Sequence, residues 1–157
     1  MYDTILVPTD GSDAAKNALA EGIALAERFD ASLHCIYIVT YNQYPKGFQS
    51  ESGTDLVQQG TAILDAVSSR GEQTPVDITT QLIETDAEVH AEIIEYGTEH
   101  GVDIIVMGTH GRTGLDHLIL GSIAERTLRV SPLPVLTVHE ETGVDPAIES
   151  ILVPTDG

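Results

Sequence analysis

"VDIIVMGTHGRTGLDHLILGSIAER", Val102 to Arg126, runs from an unbroken apolar stretch through glycines and polar residues into a segment with helical spacing. The apolar part, Val102 to Gly108, is short, rich in β-branched residues and too continuous to leave one face in water. It reads as a β-strand covered on both sides, the kind of strand that parallel sheets contain. Working outward, the same alternation of apolar run and amphipathic segment recurs. "TILVPTD", Thr4 to Asp10, is a buried strand ending in a turn, and Ser12 or Asp13 is placed to cap a helix whose Ala15, Leu19, Gly22, Ala26 and Phe29 share a face. "ASLHCIYIVT", from Ala31, is a second strand, and residues 41–53 are a polar loop. Leu56, Ile63, Leu64 and Val67 mark a helix that ends near Gly71.

"VDITTQLIET", from Val76, alternates more and so belongs nearer an edge. Thr85 and Glu88 have the spacing of a capping box before Val89, Ile93, Ile94 and Gly97. Beyond Gly108 come a loop and a helix from Ile123 to Val130, and then "PLPVLTV", a fifth strand. Strand and helix alternate throughout, so the fold class is α/β: an open parallel sheet, Rossmann-like, with helices on both faces.

The chain has 157 residues, 41% of them hydrophobic, which suits one domain with a real core. No stretch approaches ~18 consecutive apolar residues, and the N-terminus carries no basic region followed by an apolar run, so neither a membrane span nor a signal peptide is expected. Cys35 sits in an apolar run and reads as a small core residue. These features point to a cytoplasmic location. Acidic residues number 25 against 7 lysines and arginines, for a net charge of −18, and the lysines are Lys16 and Lys46 alone. The acids are spread between periodic apolar segments, which argues for a folded domain and against a disordered acidic tail. Such a domain repels itself unless salt screens it, and at ~1 M the Debye length shrinks to ~3 Å. A salt-rich cytoplasm, as in a halophilic archaeon, fits this balance. Lys and Arg form no cluster, so nucleic acid is not an expected partner.

The chemistry gathers behind the fourth strand. Gly108, Gly111 and Gly121 are separated by two and nine residues, and Ser122 follows the last. Gly108 and Gly111 allow a sharp turn and a close approach of backbone to ligand. Gly121 and Ser122 precede a helix whose first N–H groups lack partners of their own and, with the helix dipole, favour an anion. Ser122 adds a hydroxyl, and Arg112 is one of few cations available to phosphate. Glycine-rich turns that bind nothing are common in open α/β sheets. Here, however, the glycines and serine stand at the carboxyl end of a central strand, where such sheets hold ligands. The first strand ends in "PTDGS", which can face the same crevice.

"ILVPTDGS", "MGTHGRTG" and "LGSIAERTL" together resemble the universal stress protein family in its nucleotide-binding branch, over nearly all of residues 2–139. The glycine pattern of that branch is intact. The resemblance implies a five-stranded parallel sheet of order 3-2-1-4-5, of the adenine nucleotide alpha-hydrolase-like fold, that binds ATP, or ADP or AMP. It implies a homodimer paired through the last strand, Pro134 to Val138. Carried over by position, Pro8, Thr9 and Asp10 lie on the adenosine side, and Ile38 offers backbone groups to adenine. Met107 and Gly108 line the ribose; Gly111, Gly121, Ser122 and the helix start at Ile123 hold phosphates, with Arg112 in reach. A magnesium ion (Mg) is expected only with the nucleotide, held by phosphates near Asp10.

"ILVPTDG" occurs at Ile5 to Gly11 and again at Ile151 to Gly157. Residues 1–139 then form one domain, 140–150 a linker, and 151–157 the start of a second repeat. The alternative is that the second copy adds a strand to an open sheet edge. The six histidines show no tight ligand spacing, so no protein metal site is expected. No Walker lysine is present. A triad of Ser122, His110 and Asp116 competes with the phosphate role of Ser122. The favoured function is a nucleotide-binding stress-response regulator; the alternative is a slow ATPase or a phosphoryl- or adenylyl-transferring enzyme.

Overall fold

A computed structural model describes residues 2–42, 51–109 and 121–139. Its elements run β1 (Thr4–Pro8), α1 (Asp13–Phe29), β2 (Ser32–Thr40), α2 (Glu51–Gly71), β3 (Ile78–Thr85), α3 (Val89–Glu99), β4 (Ile104–Gly108), α4 (Ser122–Val130) and β5 (Val135–Val138). The strands form one sheet of order β3-β2-β1-β4-β5, and every pairing is parallel.

Alternation along β1 explains the layering. Ile5 and Val7 point to one face and pack with Leu33, Cys35 and Tyr37 of β2 against α1 and α2. Leu6 points to the other, where Ile36, Ile105 and Met107 meet Ile93 and Tyr96 of α3 and Ala124 of α4. Ile5, Leu6 and Val7 are all fully buried, as expected of a strand enclosed on both sides. Cys35 is buried within the first of these clusters. β3 lies at one edge of the sheet, as its alternation indicated.

Local chemistry sets the helix ends. Ser12 caps α1, its hydroxyl accepting from the Ala15 N–H at 3.2 Å, so the choice between Ser12 and Asp13 falls to Ser12. Asp30 ends the helix in a left-handed conformation. The expected capping box before α3 does not form. Thr85 is the last residue of β3, and its hydroxyl accepts from Ala87 N–H at 3.0 Å, a turn bond two residues long. Glu88 is itself the N-cap, with no side-chain cap bond. The strand has claimed the backbone that the box needed. The helix after the polar loop also begins earlier than its apolar spacing suggested, at Glu51. Residues 43–50, 110–120 and 140–157 lie outside the described residues, and with them the linker and second repeat.

Candidate nucleotide cleft

The chain runs from β1 to β2 to β3 in one direction, then crosses back through α3 to place β4 on the other side of β1. The connections leaving β1 and β4 therefore diverge, and a crevice opens at their carboxyl ends. It has a volume of about 450 Å3 and is walled by β1, β2, β4 and the starts of α3 and α4.

Each wall has its own local cause. After β1, Thr9 donates its N–H to the Ile36 carbonyl at 2.9 Å, which keeps the turn against β2. Gly11 takes φ +79°, a left-handed conformation that suits glycine, and donates its N–H to Thr9 Oγ1 at 3.2 Å. Asp10 Oδ1 accepts from the Ser12 N–H at 3.0 Å, so the carboxylate stands at the mouth of the turn. On the far rim, Thr40 and Asn42 both donate to the Ala87 carbonyl, at 2.8 and 3.3 Å. These bonds tie the end of β2 to the approach of α3. Gly121 donates its N–H to the Thr109 carbonyl, and Thr109 donates its own to Val138, which joins the end of β4 to the start of α4 beside β5.

The helix starts at the cleft differ in one respect that matters for an anion. α1 is capped by Ser12, whereas the N-cap of α4, Gly121, has no side chain to offer its first turn. Gly121, Ser122, Ile123 and Ala124 line the cleft. The first-turn N–H groups of α4 have no intrahelical acceptor, so donors and the positive end of the dipole meet at this wall.

Of the candidate residues, Pro8, Thr9, Asp10, Ile38, Met107, Gly108, Gly121, Ser122 and Ile123 all line this one cleft. Gly111 and Arg112 lie outside the described residues, as do His110 and Asp116 of the triad alternative. Sequence reasoning missed Thr40, Leu56, Val89 and Ile93, which also form the wall. The last three carry apolar helix periodicity and read as core. Thr40 ends β2 and was open to detection from the rule that ligands sit at carboxyl ends. Among the described lining residues the charged side chain is Asp10. No group of three His, Cys, Asp or Glu side chains that could hold a metal occurs among the described residues.

The fold is an open parallel α/β sheet with a cleft at the strand-order reversal. The chain belongs to the universal stress protein family, whose model matches residues 1–139. It is 36% identical over 145 residues to universal stress protein MJ0531 of Methanocaldococcus jannaschii, covering 89% of this chain and 84% of that one. The solved structure of MJ0577 from the same organism superposes with a TM-score of 0.79 at 27% identity, over 91% of this chain and 99% of that one. Two more distant universal stress proteins share the fold. One was solved with cAMP (24% identity, TM-score 0.66, 88% of this chain, 98% of that one), the other, from Archaeoglobus fulgidus, with dAMP (16%, 0.68, 87% and 98%).

Proposed function

We propose that this protein is a stress-response regulator that binds an adenine nucleotide, ATP in the first instance, in the cleft between β1 and β4. The observation that carries the reading is the glycine-capped start of α4, whose first turn lines the same cleft as Pro8 to Asp10 and the end of β2. Relatives solved with cAMP and dAMP support adenine as the base. In this reading Ile38 and its neighbours on β2 meet the base, Met107 and Gly108 flank the sugar, and Gly121, Ser122 and Ile123 hold phosphate. Gly111 and Arg112 complete the phosphate side. Asp10 would repel bare phosphate in the cleft, so it is the residue that would hold a magnesium ion carried with the nucleotide, whose charge would offset both.

In this reading the function is binding, with slow turnover as the alternative. The described wall brings one carboxylate to the ligand, and that carboxylate already accepts a backbone N–H. Calorimetry with ATP, AMP and adenosine, with and without magnesium, tests the reading; absence of heat with all three overturns it. Steady release of ADP over many turnovers would favour the enzyme.

The same proposal extends to assembly and setting. Among the described strands β5 pairs with β4 alone, and in this reading a homodimer through Pro134 to Val138 covers its other edge. Light scattering at micromolar protein in high salt should return twice the chain mass. Among the described residues no helix is long and apolar enough to cross a membrane. The protein works in a salt-rich cytoplasm, and the second "ILVPTDG" begins a further unit of the same kind.

A further inference from the structure

At the opposite end of α3 from the cleft, three aromatic rings close on one another. Tyr96 is 4% exposed, and its phenol oxygen lies 3.0 Å from Nδ1 of His34 on β2. His100, the C-cap residue of α3, stacks on the Tyr96 ring with centroids 3.9 Å apart and planes at 14°. Its Nδ1 is 2.9 Å from the Tyr96 carbonyl oxygen. A carbonyl only accepts, so that nitrogen carries its proton and donates. The two imidazoles meet edge to face with centroids 5.8 Å apart.

This arrangement suits neutral rings. While His34 is neutral, the phenol hydrogen can point at Nδ1. Once His34 is charged, both its ring nitrogens carry hydrogens, so the phenol must turn its hydrogen elsewhere. Among the described contacts of that buried hydroxyl, His34 is the partner. A charged His34 also faces His100 across a short gap, and two imidazolium rings there repel.

We propose that the His34–Tyr96–His100 cluster is a proton-sensitive latch. Taking up protons weakens the hold of β2 on the end of α3, and the same helix then loosens the wall that Val89 and Ile93 give the cleft.

The surroundings favour this response. Burial first, and His100 second, hold His34 below the usual imidazole range; the Asp77 carboxylate works in the other direction and is the lesser influence. Burial also raises the Tyr96 phenol, which keeps it protonated. The register neighbours of His34, Leu6 on β1 and Thr79 on β3, carry no charge. On the α4 side, the described ion pair to α3 is Arg126 with Glu88, at the far end of the helix. Tyr96 stands seven residues from Val89, roughly 10 Å along a rigid helix.

Amide exchange across α3 tests the latch on the full chain in molar KCl, at pH 7.5 and 5.5, corrected for intrinsic rates. His34→Gln, His100→Gln and the double variant are compared with the parent. The parent should lose protection in α3 on the order of tenfold on acidification. The double variant, which retains His90, His110, His117 and His139, should lose little. His100→Gln alone keeps the His34–Tyr96 bond and should fall between, which guards against misfolding of the His34 variants. An equal loss in the double variant, or an unchanged α3 in the parent, overturns the latch. The readout involves no nucleotide, so it is decided separately from the reading of the cleft.

Discussion

Gly108 lies directly against Ala14: a Cβ built on Gly108 would stand 2.7 Å from the Ala14 carbonyl carbon and 2.8 Å from its oxygen. Those are backbone atoms of the first turn of α1, so no side-chain rotation relieves the contact. This glycine of the motif thus serves packing, because it lets α1, and with it the Asp10–Ser12 turn, sit close over the end of β4. Gly108→Ala should cost about 1–3 kcal/mol as an overpacked site, a drop in melting temperature of about 2–4 °C per kcal/mol. Adenine nucleotide binding should weaken with it. A variant that melts like the parent would show that α1 yields freely.

Gly121 is a different case. Its φ of −59° and ψ of 145° are open to any residue, so Gly121→Val should fold while its side chain obstructs the start of α4. ATP binding should be lost in calorimetry with the melt nearly unchanged. Ser122→Ala removes one hydroxyl, worth about 0.5–1.5 kcal/mol, or a roughly two- to twelvefold weaker Kd. Parent-like affinity in Gly121→Val would remove α4 from the site.

Asp103 ties the turn before β4 to the start of β1, its Oδ2 accepting from the N–H groups of Asp3 at 2.7 Å and Thr4 at 3.0 Å. Those bonds hold its carboxyl below the usual carboxylate range. A folded pKa below the unfolded one gives stability that is present above the unfolded value of 3.8 and lost as pH falls through the folded one. Asp103→Asn should therefore lower stability at neutral pH by about 0.5–1 kcal/mol, since the group is only half-buried and screened by solvent. Its melting temperature should also fall less steeply below pH 4 than the parent's. Parallel acid limbs would assign the pH dependence elsewhere.

His34 predicts a second pH limb with the opposite chemistry and the same sign. With its folded pKa depressed, the unfolded chain takes the proton first as pH falls through the unfolded value of 6.5. Stability should decline from there toward acid, and melts between pH 7.5 and 5.5 should show this limb flattened in His34→Gln.

The net charge of −18 is set against ion pairs such as Lys16–Asp13, Arg126–Glu88 and Arg129–Glu125, all exposed, and pairs of that kind contribute little. Thermal melts should rise as KCl is raised from 0.1 M, where the Debye length is ~10 Å, to 1 M, where it is ~3 Å. Cys35 supplies an independent probe: it is fully buried, and burial pushes its thiol up to about 12. A thiol reagent should reach it only through global opening, faster at low salt. A flat melt and salt-independent labelling would end the halophile reading.

What the sequence alone determined was everything expressed within a few turns of chain. The apolar runs at Ile5 to Val7 and Ile104 to Met107 announced enclosed strands, because a strand buried on both faces has no polar alternation. Ser12 and Asp13 announced the start of α1, and the alternation from Ile78 to Thr85 announced an edge. The glycines at 108 and 121 pointed to the carboxyl end of β4, where the cleft lies. Tertiary structure decided what depends on residues far apart in sequence. Thr85 and Glu88 had the local spacing of a cap, yet β3 extends through Thr85 and the box is lost. Leu56, Val89 and Ile93 have the periodicity of core residues, and only the packing of α2 and α3 over the strand ends turns them toward the cleft. Gly108 meets Ala14 and His34 meets Tyr96 across 94 and 62 residues. Periodicity records which side of an element is buried; what it is buried against follows from strand order and helix placement, which are set by the summed packing of the whole sheet.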